Sequence, residues 1–189
     1  MKRFVVIAVT AVLASLVGWT PAQAANCPPA SVGGPAVAVM NVKGKATPVK
    51  RITFVKGGAL DAPHTNKAAG ISARNAPLGA RRGATVITWH VRYGQGCNGS
   101  LNALTRMPIG STFTVAAVGK PAKTYQIASR VTVPKGVLKR SWFSPRGRHR
   151  LVLITCDDLR GGVFHRTMTI IATPVPVPPP PAPSPPAPV

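Results

Sequence analysis

The chain has 189 residues, with 24 Lys or Arg against three acids (Asp61, Asp157 and Asp158) and a formal net charge of +21. A field of that sign draws the protein to polyanions such as wall polymers, lipid head groups or nucleic acid, and charge alone does not choose among them. Less its two ends the chain keeps about 150 residues, enough for one compact domain. No pair of cysteines or histidines has zinc-ligand spacing, so neither a metal nor a cofactor is called for.

The first element is Met1-Lys2-Arg3, an apolar run from Phe4 to Trp19, then Thr20-Pro21 and Ala22-Gln23-Ala24. A basic start, a short apolar stretch and an A-x-A site predict a secretory signal over 1–24. The apolar run is short for a spanning helix, although an uncleaved anchor is the alternative. Residues 25–48, rich in Pro, Gly, Ala and Val, read as a linker into a domain over 49–173. Short β-type runs follow: Arg51–Val55, Ala84–Trp89, Ser111–Val115, Lys123–Ile127 continuing to Val133, Leu151–Thr155 and Arg166–Ile171. Turn residues separate them, and no long segment has a helical period; 100–106 reads as a single helical turn. The expectation is an all-β fold, a closed or nearly closed barrel of six or more strands. The end of the chain, Pro174–Val189, has ten prolines in sixteen residues and reads as an extended or disordered tail.

Two positions draw attention by where they fall. Cys156 directly follows the apolar run Leu151–Thr155, and His90 directly follows Ala84–Trp89. If the two strands are neighbours, thiol and imidazole share one rim, and Arg166 opens the next strand within reach of it. A thiolate attacks carbonyls, and a nearby cation favours it; a cation beside the reacting carbonyl also stabilises an oxyanion. A cysteine closing an apolar strand is nevertheless more often packing than chemistry, and spacing alone leaves both readings open. His64, His149 and His165 are weaker candidates. In an oxidising compartment the odd cysteine count leaves one thiol over; if Cys27 pairs with Cys97, that thiol is Cys156.

The stretch Leu153-Ile-Thr-Cys156-Asp157-Asp158, followed by Gly162-Val-Phe-His-Arg166 and Ile170-Ile-Ala-Thr173, closely resembles the active-site region of bacterial sortases. Gly83-Ala-Thr-Val-Ile-Thr-Trp-His90-Val resembles the strand that ends in the sortase histidine. Gly99–Val115 is similar to the family's short helix and the strand behind it. The resemblance spans about residues 49–173. It implies an eight-stranded sortase-like β-barrel with one or two short helical turns, and cleavage of an LPxTG-type sorting signal between Thr and Gly. Cys156 would be the nucleophile, His90 the general acid and then base, Arg166 the group holding substrate and oxyanion, and Thr155 a supporting contact. The partners would be surface proteins bearing a sorting signal, with a cell-wall amine or a pilin lysine as acceptor, the protein itself being monomeric. The short loops resemble the class E or F branch, and the scarcity of carboxylates speaks against the calcium site of some sortases.

Three departures accompany the resemblance. Trp89 stands before the histidine where the family has glycine, and would narrow the cleft. Counting back from Ala172-Thr173 puts Thr167 at the arginine position, with Arg160 in reserve. A cleavable signal is unusual for a membrane-tethered family. A sortase-fold protein with impaired catalysis, binding anionic wall polymers or nucleic acid through its basic surface, is the alternative function.

Overall fold

Apolar residues alternate along most of the runs above, and alternation with period two buries one face of a strand. The computed structural model describes residues 34–53, 62–93 and 96–176. The segment 1–24 expected as a signal, Cys27, Val55 and the tail beyond Pro176 lie outside the described residues. Ten strands form: β1 (Ala36–Val42), β2 (Lys45–Ile52), β3 (Ala69–Ser72), β4 (Ala84–Thr88), β5 (Arg92–Tyr93), β6 (Cys97–Asn98), β7 (Thr112–Ala117), β8 (Lys123–Pro134), β9 (Arg150–Arg160) and β10 (Val163–Pro174). Eight of them close a barrel in the order β1-β2-β3-β4-β9-β10-β8-β7, and β5 and β6 make a small separate ladder. The only helical pieces among the described residues are two 3-10 turns, Asn102–Thr105 and Arg140–Phe143. The all-β barrel and its single helical turn near 100–106 are as expected.

The barrel begins before residue 49, which corrects the linker boundary. Residues 36–48 contribute β1 and the start of β2. Their Ala, Val and Met side chains are small and apolar but alternate, with Ala38, Met40 and Val42 turned into the core. Lys43 and Gly44 both have positive φ (50° and 78°). That is the two-residue hairpin geometry whose twist matches paired strands. Pro48 is accommodated because β2 pairs with β3 only from Val49 onward, leaving its missing N–H on an unpaired side.

β9 sits between β4, which runs parallel to it, and antiparallel β10. Its side chains alternate between two apolar clusters. Leu151 and Leu153 point into the barrel with Ile87, Met168 and Ile170, beside Phe113 and Tyr125. Val152 and Ile154 point outward and are covered, with Ala84 and Val86, by Trp142 of the second 3-10 turn. Burial on both faces explains the nearly unbroken apolar run. The segment between β8 and β9 therefore lies over the outer face of the sheet. It is tied down by hydrogen bonds from Ala84 N to Ser144 O (3.0 Å) and from Arg150 Nη2 to Ser141 O (2.8 Å).

Candidate active site

Strand parity fixes which way the two candidate residues face. Val86 and Thr88 alternate with inward Ile87, and Val152 and Ile154 alternate with inward Leu153. His90 and Cys156 continue the outward rows. In the parallel ladder Thr88 is opposite Ile154, and Trp89 N–H donates to Ile154 O (3.4 Å), so the pairing carries on past the named strand. His90 and Cys156 each lie two residues beyond that last pair on their own strands. Both line one cavity of about 310 Å³, together with Ile154, Thr167, Lys135 and Leu138.

Cys156 is not the residue at which its strand emerges into a loop. β9 continues to Arg160 and returns as β10 from Val163, so Cys156 lies within a hairpin that extends beyond the closed barrel. The backbone ladder keeps running although the side chains turn polar at Cys156-Asp157-Asp158, because its hydrogen bonds do not depend on side-chain type. Cys156 is half-buried and is the one free cysteine among the described residues. Cys97 is disulfide-bonded.

The loop that carries His90 is held from behind. Asn102 Nδ2 and Gly99 N–H both donate to Val91 O, at 2.6 and 2.8 Å. Gly99 passes so close that a Cβ there would collide with the His90 carbonyl oxygen. The His90 ring lies 5.0 Å from that of Tyr93, which pairs with Cys97 across the β5–β6 ladder. Thr155, turned inward, donates its hydroxyl to Trp89 O (2.8 Å), joining the strand of the thiol to the strand of the imidazole. Trp89 itself is 2% exposed and packs in the barrel core while also lining the cavity. The indole takes core volume instead of blocking the face on which His90 lies.

The cation at the thiol is one the sequence did not single out. Lys135 follows directly on β8, in a turn closed by Val137 N–H to Pro134 O (3.1 Å), and its own N–H donates to His165 O (2.9 Å). From there its ammonium donates to Cys156 Sγ at 2.7 Å. No spacing rule links two residues that meet through a turn and across an intervening strand.

No protein-family model matches the chain, and no curated protein matches it. Solved structures do. Sortase C-1 of Actinomyces oris superposes with a TM-score of 0.59 at 18% identity, covering 76% of each chain. A sortase C1 of Streptococcus agalactiae gives 0.58 at 15% identity, covering 75% of this chain and 70% of that one. Sortase A from Corynebacterium diphtheriae gives 0.58 at 19%, covering 77% and 63%. The chain has the sortase fold.

Within that sortase fold the register sets the expected arginine aside. Cys156 is opposite Thr167 and Asp157 is opposite Arg166. Directly opposed residues of an antiparallel pair share a face, so Thr167 stands beside the thiol while Arg166 projects from the other face, exposed. Arg160 is also elsewhere, paired with Asp158 through Nε–Oδ1 (2.7 Å) and Nη2–Oδ2 (2.9 Å). Thr167, the position reached by counting back from Ala172-Thr173, thus puts a hydroxyl beside the thiol, and the nearby charge comes from Lys135.

Proposed function

We infer that this protein is a sortase-like cysteine transpeptidase of the cell surface, acting on a sorting signal of the LPxTG type. The observation that carries this reading is that His90 and Cys156, each two residues past the last pair of adjacent parallel strands, line one cavity. In the first half-reaction the Cys156 thiolate attacks the Thr carbonyl, and protonated His90 gives its proton to the departing Gly amine. The C–N bond breaks and a thioacyl bond to Sγ remains. In the second, neutral His90 takes a proton from the incoming amine of a wall acceptor or pilin lysine. That amine displaces the sulfur, and water in its place gives hydrolysis. Lys135 takes the part expected of Arg166: its ammonium stabilises negative charge on the sulfur and on the carbonyl oxygen as the tetrahedral intermediate forms. The test is cleavage of an LPxTG-type peptide and trapping of the acyl-enzyme by mass. Wild type forms the adduct and Cys156→Ala does not; cleavage surviving in Cys156→Ala removes the assignment.

A second reading is favoured by one observation, the neutral Thr167 where the resemblance implies arginine. It is a catalytically impaired sortase-fold protein that binds anionic polymers. Under it, Cys156 reacts no faster with thiol-selective reagents than a simple thiol does, and no peptide is turned over.

A further inference from the structure

The end of the barrel away from the thiol has a second pair of cavities. One, of about 570 Å³, lies between the Gly79–Arg81 segment and the start of β8, with His149 and Thr173 in its wall. The other, about 330 Å³, adjoins it and shares Gly79, Lys123 and Tyr125. Four exposed cations, Arg81, Arg148, Lys123 and Lys120, stand around this double cleft. Lys123 reaches across it, its Nζ lying 3.4 Å from where a Cβ of Gly79 would be.

Among the described residues these charges have no counter-ions at hand. No hydrogen bond or ion pair holds the four side chains among the described residues. Of the three acids in the sequence, Asp157 and Asp158 belong to the hairpin at the thiol end, where Arg160 already pairs with Asp158. By contrast, neighbouring Arg150 is spent on the carbonyls of Ser141, Arg146 and Arg148. Gathered like charges repel one another, and a bound anion removes that cost.

We propose that this cleft binds a polyol phosphodiester chain, a flexible polymer with repeated phosphates and short aliphatic spacers. Several cations, two of them guanidinium forks, match an anion presenting many oxygens better than a single carboxylate. Two joined cavities fit an extended ligand, and Leu78, Val115, Ala117 and Pro121 offer apolar wall to the spacers. A single-stranded nucleic acid would need aromatic faces for its bases. The aromatic side chain here, Tyr125, is 1% exposed with its hydroxyl on His149 Nε2 at 3.1 Å. The cleft lies apart from the thiol, so binding here does not rest on the transpeptidase reading.

The experiment measures binding of the full chain to a synthetic glycerol-phosphate oligomer by calorimetry or fluorescence at 50 and 200 mM salt. An oligothymidylate of equal charge and inorganic phosphate serve as comparison ligands. With about 0.7 counterions released per neutralised phosphate on a single strand, four contacts weaken binding roughly fiftyfold over that salt range. Arg81→Gln with Lys123→Gln and Arg148→Gln removes most of the affinity and flattens the salt dependence. Lys45→Gln with Lys67→Gln and Arg106→Gln removes the same charge elsewhere and changes affinity less than about threefold, as expected for cations outside the contact. Equal weakening by both triple variants, or tighter binding of the oligothymidylate than of the glycerol phosphate, overturns the proposal. Binding of inorganic phosphate as tight as that of the oligomer overturns the extended-chain ligand.

Discussion

Under the proposed mechanism Lys135, through its contact with the thiol, carries the charge at the site. Its ammonium is on the thiol at 2.7 Å while Arg166 and Arg160 are directed elsewhere. Replacing Lys135 by Met is expected to lower kcat for peptide cleavage by at least about tenfold, a modest version of losing an oxyanion donor because the lysine is exposed. KM should change little, and Lys135→Arg should recover part of the rate. Arg166→Met should cost far less than Lys135→Met; the reverse order would return the role to Arg166. Cys156 and His90 stood out in the sequence because each directly follows an apolar run, and those two runs lie side by side as β9 and β4. Lys135 did not: its approach depends on a turn after β8 and on the order in which β8, β10 and β9 lie side by side.

Among the elements, the loop behind His90 and the hairpin carrying Cys156 do different work. The loop is fixed by Gly99, whose backbone lies against the His90 carbonyl. Gly99→Ala is expected to destabilise the fold by about 1–3 kcal/mol, the usual cost of forced overpacking. At temperatures where the variant stays folded, turnover should fall through displacement of His90. Full activity with unchanged melting would mean that the loop gives way harmlessly. The strands were readable wherever apolar alternation was strong, as in β4 and the first half of β9. They were misread where composition hid them: β1 looked like linker because alanine and glycine surround its alternating residues. The second half of β9 looked like loop because Cys156-Asp157-Asp158 ended the apolar signal while backbone pairing with β10 continued.

At the scale of the whole molecule the charge distribution couples stability to pH through His149. Burial, helped by Lys123 and Arg150, pushes its pKa below the ordinary 6.5, while a backbone contact with Gly83 opposes this. The unfolded chain therefore takes up a proton near pH 6.5 that the folded chain refuses. Stability attached to this group is complete above that pH and is lost as pH falls toward the lowered folded value. Melting temperature should drop on acidification below about pH 6.5, and His149→Gln should flatten that slope even if it lowers stability overall. An unchanged slope in the variant would place the acid sensitivity elsewhere. Tyr125, whose own pKa burial raises, stays protonated throughout this range.

The bonded state of Cys97 sets two demands on one chain. Cys97 is joined in a disulfide and pairs with Tyr93, the ring neighbour of His90, whereas Cys156 is a free thiol in an open cavity. Under the proposed mechanism the bonded sulfur supports the ladder beside the imidazole, and the free one has to stay reduced in order to react. Turnover should therefore trace a bell against the redox poise of the medium. It should fall under strong reductant as the support behind His90 loosens, and under strong oxidant as Cys156 is consumed. Peptide cleavage across a series of thiol–disulfide buffers would trace that bell, and a steady rise toward the reducing end would contradict it.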